Sequence, residues 1–153
     1  MNQHPLLDGH RHTNERDGRV LVYRNGLGWQ AEDGLAAPSA TAGIGYGTGA
    51  GGTVTQLTSK TTGVTLNTIC GAITMNGAAL GAAAEATFTV TDSAVAAADL
   101  IIVNHSSAGT IGAYLAGGRA AAGSFQITVS NVSAGSLSEA IVLSFAVIKA
   151  VTA

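Results

Sequence analysis

The chain has 153 residues, 46% hydrophobic and only 10% charged, with 21 glycines and a formal net charge of −2. Seven Lys and Arg in all form no cluster able to neutralise a phosphate backbone, which excludes nucleic acid as a partner, and so little charge predicts that copies of the chain or another protein cover much of its surface. The single cysteine, Cys70, can close no intrachain disulfide and is expected as a small buried residue; with no basic-then-apolar leader and no uninterrupted apolar window of ~18 residues, a soluble chain without a membrane span is expected.

Residues 1–35 hold nine of the sixteen formal charges, three of the four histidines and the only tryptophan, so they differ in kind from the rest of the chain. Gly18 to Gln30 reads as a β-hairpin: a β-rich run, an Asn25-Gly26 turn signal, and an aromatic return. A two-stranded ribbon is marginal alone in water, so it is expected to lean on a neighbouring copy or another protein. Arg11, Arg16, Arg19 and Arg24 nearly balance Asp8, Glu15, Asp17, Glu32 and Asp33. Such a mixed strip suits hydrogen bonding along a partner's surface, so Arg11, Arg16, Arg19, Tyr23, Arg24 and Trp29 are the expected partner-binding residues of an attachment arm. The competing reading is a solvated terminus. His10 and His12 flank Arg11 as an HxH, which would hold a metal only if three copies gathered around an axis; Arg11 opposes a nearby cation, and no resident metal is expected.

Residues 36–52 are rich in Ala, Gly, Ser and Pro and read as a linker. Gly47 to Gly52 formally match GxGxxG, but Thr and Val alternation comes after them where a helix is required, and the next acid is Glu85. No cofactor is expected there.

Residues 53–153 show period-two patterning broken at turn residues, which predicts strands over 53–58, 63–70, 72–76, 87–91, 100–106, 112–116, 123–132 and 141–150. Phe88 with Val90, and Phe125 with Ile127 and Val129, alternate with Thr, Gln and Ser, so one face should be core and the other water or partner. Gly71 interrupts the pattern and suggests a bulge or a tight connection. The alanine runs at 82–86 and 93–99 are too short for independent helices and are read as connections. The predicted class is all-β: a jelly-roll-like antiparallel sandwich preceded by an extended arm carrying a short hairpin. Leu100 to Val103 and Ile141 to Ile148 are apolar at almost every position, so both faces of those strands should be dry. The expected second covering is another copy of the chain, with Ile101, Val103, Val142 and Ile148 at the oligomer interface.

Chemistry has little to work with in this body. Its only formal charges are Lys60, Glu85, Asp92, Asp99, Arg119, Glu139 and Lys149, scattered along the sequence without paired carboxylates, a nucleophile elbow or metal-ligand spacing. His105, its one histidine, is expected as an edge or turn residue rather than a base. Asn104-His105-Ser106 and Asn131-Val132-Ser133 match the glycosylation pattern, but no secretory signal accompanies them. No enzyme activity is expected.

Several of these stretches carry a resemblance. Gly45 to Gln56, Thr62 to Asn67, Gly71 to Asn76, and the close from Ser136 to Ala140 running to Phe145 to Ala150 together resemble a segment found in tailed-phage and prophage structural proteins, either alone or at the C-terminus of longer virion proteins. The GxVLVY-turn-GW unit at Gly18 to Trp29 looks, more weakly, like phage fibre proteins, and axial histidine pairs resemble a device of some trimeric tail spikes. The resemblance implies a jelly-roll sandwich, often trimeric, exposed on the virion and attached by its N-terminal arm, without catalytic activity. The function expected from it is a capsid decoration or cement protein on the outer surface of the head, bound to the major capsid or another virion protein and made soluble in the host cytoplasm. The alternatives are a short head or tail fibre contacting host carbohydrate or protein and, in a different class, a polysaccharide-cleaving domain, which would require convergent carboxylates.

Overall fold

The computed structural model describes residues 11–13, 20–24, 28–31 and 45–151. The chain divides into two compact units, Met1–Gly45 and Tyr46–Ala153. No helix occurs among the described residues, so none is long and apolar enough to cross a membrane.

In the first unit, β1 (Arg11–Thr13), β2 (Val20–Arg24) and β3 (Gly28–Ala31) form one antiparallel sheet in that order. β2 and β3 are the expected hairpin. Their register sets Tyr23 opposite Trp29 and Arg24 opposite Gly28, one residue wider than a two-residue turn at Asn25-Gly26 would give. β1 is a strand the sequence pattern did not announce. At three residues, Arg11 to Thr13 is too short to display a period, and only its pairing with Val20 to Val22 defines it.

The second unit contains β4 (Gly51–Thr55), β5 (Val64–Thr65), β6 (Cys70–Thr74), β7 (Glu85–Thr91), β8 (Leu100–Ser107), β9 (Tyr114–Ala121), β10 (Ser124–Asn131) and β11 (Val142–Ile148). They make two four-stranded sheets, ordered β5-β7-β10-β9 and β4-β6-β11-β8, packed as a sandwich. Alternation drives the packing: in β7, Ala86, Phe88 and Val90 are buried while Glu85, Thr87, Thr89 and Thr91 are exposed. The centre of the core is Phe125 of β10 against Phe145 of β11, ring centroids 5.0 Å apart. The long-range pairs β6–β11 and β7–β10 nest across the two sheets in the jelly-roll manner. The edge pairs β4–β6 and β5–β7 are parallel rather than antiparallel. The chain changes sheet at each of these steps, so every second strand returns to the same sheet in its original direction.

Three local expectations change. The body begins before residue 53: Gly51 and Gly52 already belong to β4, and Tyr46 donates its hydroxyl hydrogen bond to the carbonyl of Val147. Gly71 is not a bulge, because its pairing with both β4 and β11 is continuous; a Cβ there would lie 2.6 Å from the carbonyl oxygen of Gly52, so close approach of backbones explains the residue. The irregularity lies instead between Val142 and Leu143, opposite β8. β9 runs to Ala121, through Gly117 and Gly118 and past the predicted end at 116. A Cβ on Gly118 would lie 2.6 Å from Cγ2 of Ile101, so the missing side chain lets β9 approach β8.

Candidate interaction surface

The outward positions of the β4-β6-β11-β8 sheet are set by register. Cross-strand rows join Leu100 to Ile148, then Gly51, Cys70, Ala146 and Ile102, then Thr53, Ala72, Ser144 and Asn104. None of these residues carries a formal charge. Small side chains keep most of the surface low, while Leu100, Ile102 and Ile148 stand at one end, 58%, 52% and 48% exposed. The opposite outer face is chemically different. It presents Thr87, Thr89, Thr91, Gln126 and Thr128, with Thr87 and Thr128 hydroxyls 2.8 Å apart and Ser130 donating to Glu85 at 2.8 Å. Water satisfies the polar groups of that face readily, with Leu115 its one exposed aliphatic at the β9 edge, whereas the aliphatic end of the first gains from being covered.

Against this geometry, two of the four expected interface residues are corrected. Ile101 and Val103 point inward and pack on the core, because β8 is phased by its pairing with β11 and by Gly118 of β9. Their neighbours Leu100 and Ile102 hold the outward positions instead. Val142 and Ile148 do lie on the outer face, Val142 half-buried and Ile148 exposed. The expectation that both faces of these strands are dry is not met by the body itself, whose outer aliphatic end is open to solvent. Cys70, expected buried, is half-buried on the same face.

In the first unit, strand alternation assigns positions 11 and 24 to one face of the sheet and positions 12, 23 and 29 to the other. Of the expected partner-binding residues, Arg11 and Tyr23 therefore lie on opposite faces. Arg16, Arg19 and His10 lie outside the described residues. Arg11 and His12 are exposed and Tyr23 is half-buried. No group of three or more His, Cys, Asp or Glu among the described residues could hold a metal ion.

Four of the body's charged side chains, Lys60, Asp99, Glu139 and Lys149, tie loops. Glu139 accepts from the amide of Thr110 at 3.0 Å, from its hydroxyl at 2.7 Å, and from the Tyr114 hydroxyl at 2.9 Å. The bonds from Thr110, then that from Tyr114, hold the Glu139 carboxyl below its usual range. Burial, reinforced by the carboxylate, pushes Tyr114 up to about 12. Lys60 is buried, its Nζ donating to the carbonyls of Asn76 at 2.7 Å and Glu139 at 2.6 Å, and burial lowers its pKa. Asp99 accepts from the amide of Ala96 and pairs with Lys149, and these contacts keep its carboxyl low. His105 lies near the end of β8, with Nε2 2.6 Å from the Ala108 carbonyl and its ring edge-on to Tyr114. Sequence reasoning missed the Glu139 cluster, whose partners are 25 and 29 residues away.

Comparison with protein-family models, curated proteins and solved structures finds no match to this chain. Its own surfaces are therefore the guide to function.

Proposed function

We propose that this chain is a structural protein of a tailed-phage virion, a capsid decoration or cement protein whose bodies associate with one another, as a trimer, while the N-terminal unit attaches them to the head shell. The observation that carries the reading is the uncharged outer face of the β4-β6-β11-β8 sheet with Leu100, Ile102 and Ile148 exposed at one end. Surfaces of this kind gain free energy from burial, and a symmetric assembly repeats the gain at every interface. The division into two units supports separating self-association from attachment. The resemblance of Gly45 to Gln56 and of the C-terminal stretch to virion proteins supplies the setting. On this reading, the N-terminal unit, which carries Arg11, Arg16, Arg19, Tyr23, Arg24 and Trp29, supplies the contacts to the shell.

The test is reconstitution. Particles lacking the chain are mixed with the full chain or with residues 46–153, and bound protein is quantified after sedimentation. The full chain is expected to co-sediment with the particles and residues 46–153 to stay in the supernatant as an oligomer. Equal binding of both would overturn the role given to the N-terminal unit.

A further inference from the structure

Strand β9 closes one edge of the β5-β7-β10-β9 sheet, and among the described residues it pairs with β10 alone. The β9–β10 hairpin ends on Ala121 opposite Ser124 across Ala122-Gly123, and a two-residue turn is closed by a pair that exchanges both hydrogen bonds. Bonded and non-bonded pairs alternate along an antiparallel ladder. Leu115, Gly117, Arg119 and Ala121 therefore spend their backbone groups on β10, and the Val132 amide donating to the Ala113 carbonyl continues that phase. Ala116, Gly118 and Ala120 direct N–H and C=O to the open edge.

Proteins commonly blunt such an edge with proline, lysine, a bulge or a covering loop. β9 has no proline or lysine, its register with β10 is continuous, and Gly118 in its middle is exposed. Next to the edge, β8 and β9 border an open groove of about 650 Å³ with Leu100, Ile101, Gly118, Ala120 and Ala121 in its walls. Asp99, which also borders it, is already bound to Lys149 and to the Ala96 amide. On the outer face of the strand stand Leu115, 64% exposed, and Arg119, which makes no hydrogen bond or ion pair among the described residues. The cross-strand neighbours of Arg119 are Gln126 and then Thr89, neither of them an anion.

We propose that the free edge of β9 is a docking site for an extended segment of another protein, added antiparallel as a fifth strand and carrying a carboxylate opposite Arg119. The backbone of an added strand bonds Ala116, Gly118 and Ala120, which a helix or an apolar ligand leaves without partners. In this ladder Arg119 falls in a non-hydrogen-bonded pair, the type that brings opposed side chains closest, so an Asp or Glu there forms an ion pair with it. An aliphatic residue four positions later falls opposite Leu115. The alternate side chains turn to the other face, where Gly118 and Ala120 leave room beside Ile101 for apolar groups. A second copy of β9 fits less well, because its one charge is again Arg119 and it brings no carboxylate. The site goes beyond the virion reading and does not depend on it.

The test is amide hydrogen exchange, followed by NMR, of the isotopically labelled full chain with the blocked peptide acetyl-KTVDVTVLVTK-amide. Its Asp and Leu are four residues apart on one face and its valines lie on the other. The Ala116, Gly118 and Ala120 amides are expected to exchange fast in the free chain and at least tenfold more slowly with saturating peptide, with Kd on the order of 0.1 mM. Exchanging the peptide's Asp for Lys is expected to weaken binding roughly tenfold, and Arg119→Glu to reverse the order of the two peptides. Ala120→Pro removes an edge-facing N–H and no bond of the existing ladder, and is expected to weaken the Asp peptide roughly tenfold. Absence of slowed exchange at these three amides overturns the proposal, as does equal affinity for the Asp and Lys peptides. So does slow exchange of the same amides in the assembled chain that becomes fast on dilution to monomer, which would give the edge to a second copy.

Discussion

Replacing Ile102 by aspartate tests whether the bodies associate through the β4-β6-β11-β8 face. Ile102 is on the outer face opposite Ala146, with Leu100 two residues away and Ile148 paired to Leu100. Fully burying one exposed Leu or Ile is worth ~1.5–3 kcal/mol, and these three are each about half exposed, so covering them contributes roughly 1 kcal/mol apiece and roughly 3 kcal/mol per subunit. Ile102→Asp removes a third of that and sets an uncompensated charge inside the contact, a further cost of several kcal/mol. A loss above ~3 kcal/mol is more than a hundredfold in association. Sedimentation velocity across a concentration series should show the wild type as an oligomer and the variant as a folded monomer with a thermal midpoint close to that of the dissociated wild type. Ile101→Asp, one residue away but facing the core, should instead unfold the body. An unchanged oligomer in Ile102→Asp would refute the assignment of this face.

Gly71→Ala forces a Cβ to 2.6 Å from the Gly52 carbonyl oxygen and 3.0 Å from the Phe145 ring, and should cost about 2–3 kcal/mol in a denaturant melt; a loss under ~0.5 kcal/mol would show the strands separate easily. Lys60→Met leaves the carbonyls of Asn76 and Glu139 without their donor and should destabilise by about 1–3 kcal/mol, read by the same melt. Because the folded-state pKa of Glu139 is depressed, its stabilising bonds are fully present above the ordinary glutamate value of 4.5 and are lost as pH falls through the lower folded value. A carboxyl-carbon NMR titration should place the Glu139 midpoint below 4.5, and Glu139→Gln should speed exchange of the Thr110 amide at neutral pH. A midpoint at or above 4.5 would remove Glu139 as the anchor of the β8–β9 loop.

Each body strand overlaps a stretch predicted from the sequence, most fully where half-buried strands write their burial as alternation, as in Phe88 with Val90 and Phe125 through Val129; the stretch 63–70 is a strand only at Val64–Thr65, β6 runs through the predicted break at Gly71, and β9 lies mostly beyond 112–116. The failures occur where alternation carries no phase. Leu100 to Val103 is apolar throughout, so no local pattern tells which residues face in; pairing with β11 and the close approach of Gly118 decide it, and both are long-range. The parallel edges escape for a similar reason: strand direction depends on which sheet the chain crosses to, which periodicity does not record. Gly71 reads as an interruption because glycine marks both bulges and close approaches, and only the neighbouring atoms distinguish them. Glu139, unpaired in sequence, acquires its function from Thr110 and Tyr114, which topology brings to it.

Quantitative mass spectrometry of purified particles produced from the genome that encodes this chain decides whether it is a repeated component of the virion surface. On the order of hundreds of copies per particle are expected, as repetition over a symmetric shell requires, released as intact oligomers under mild dissociation. Absence of the chain from particles freed of host debris, or its release only as monomer, would refute the decoration role.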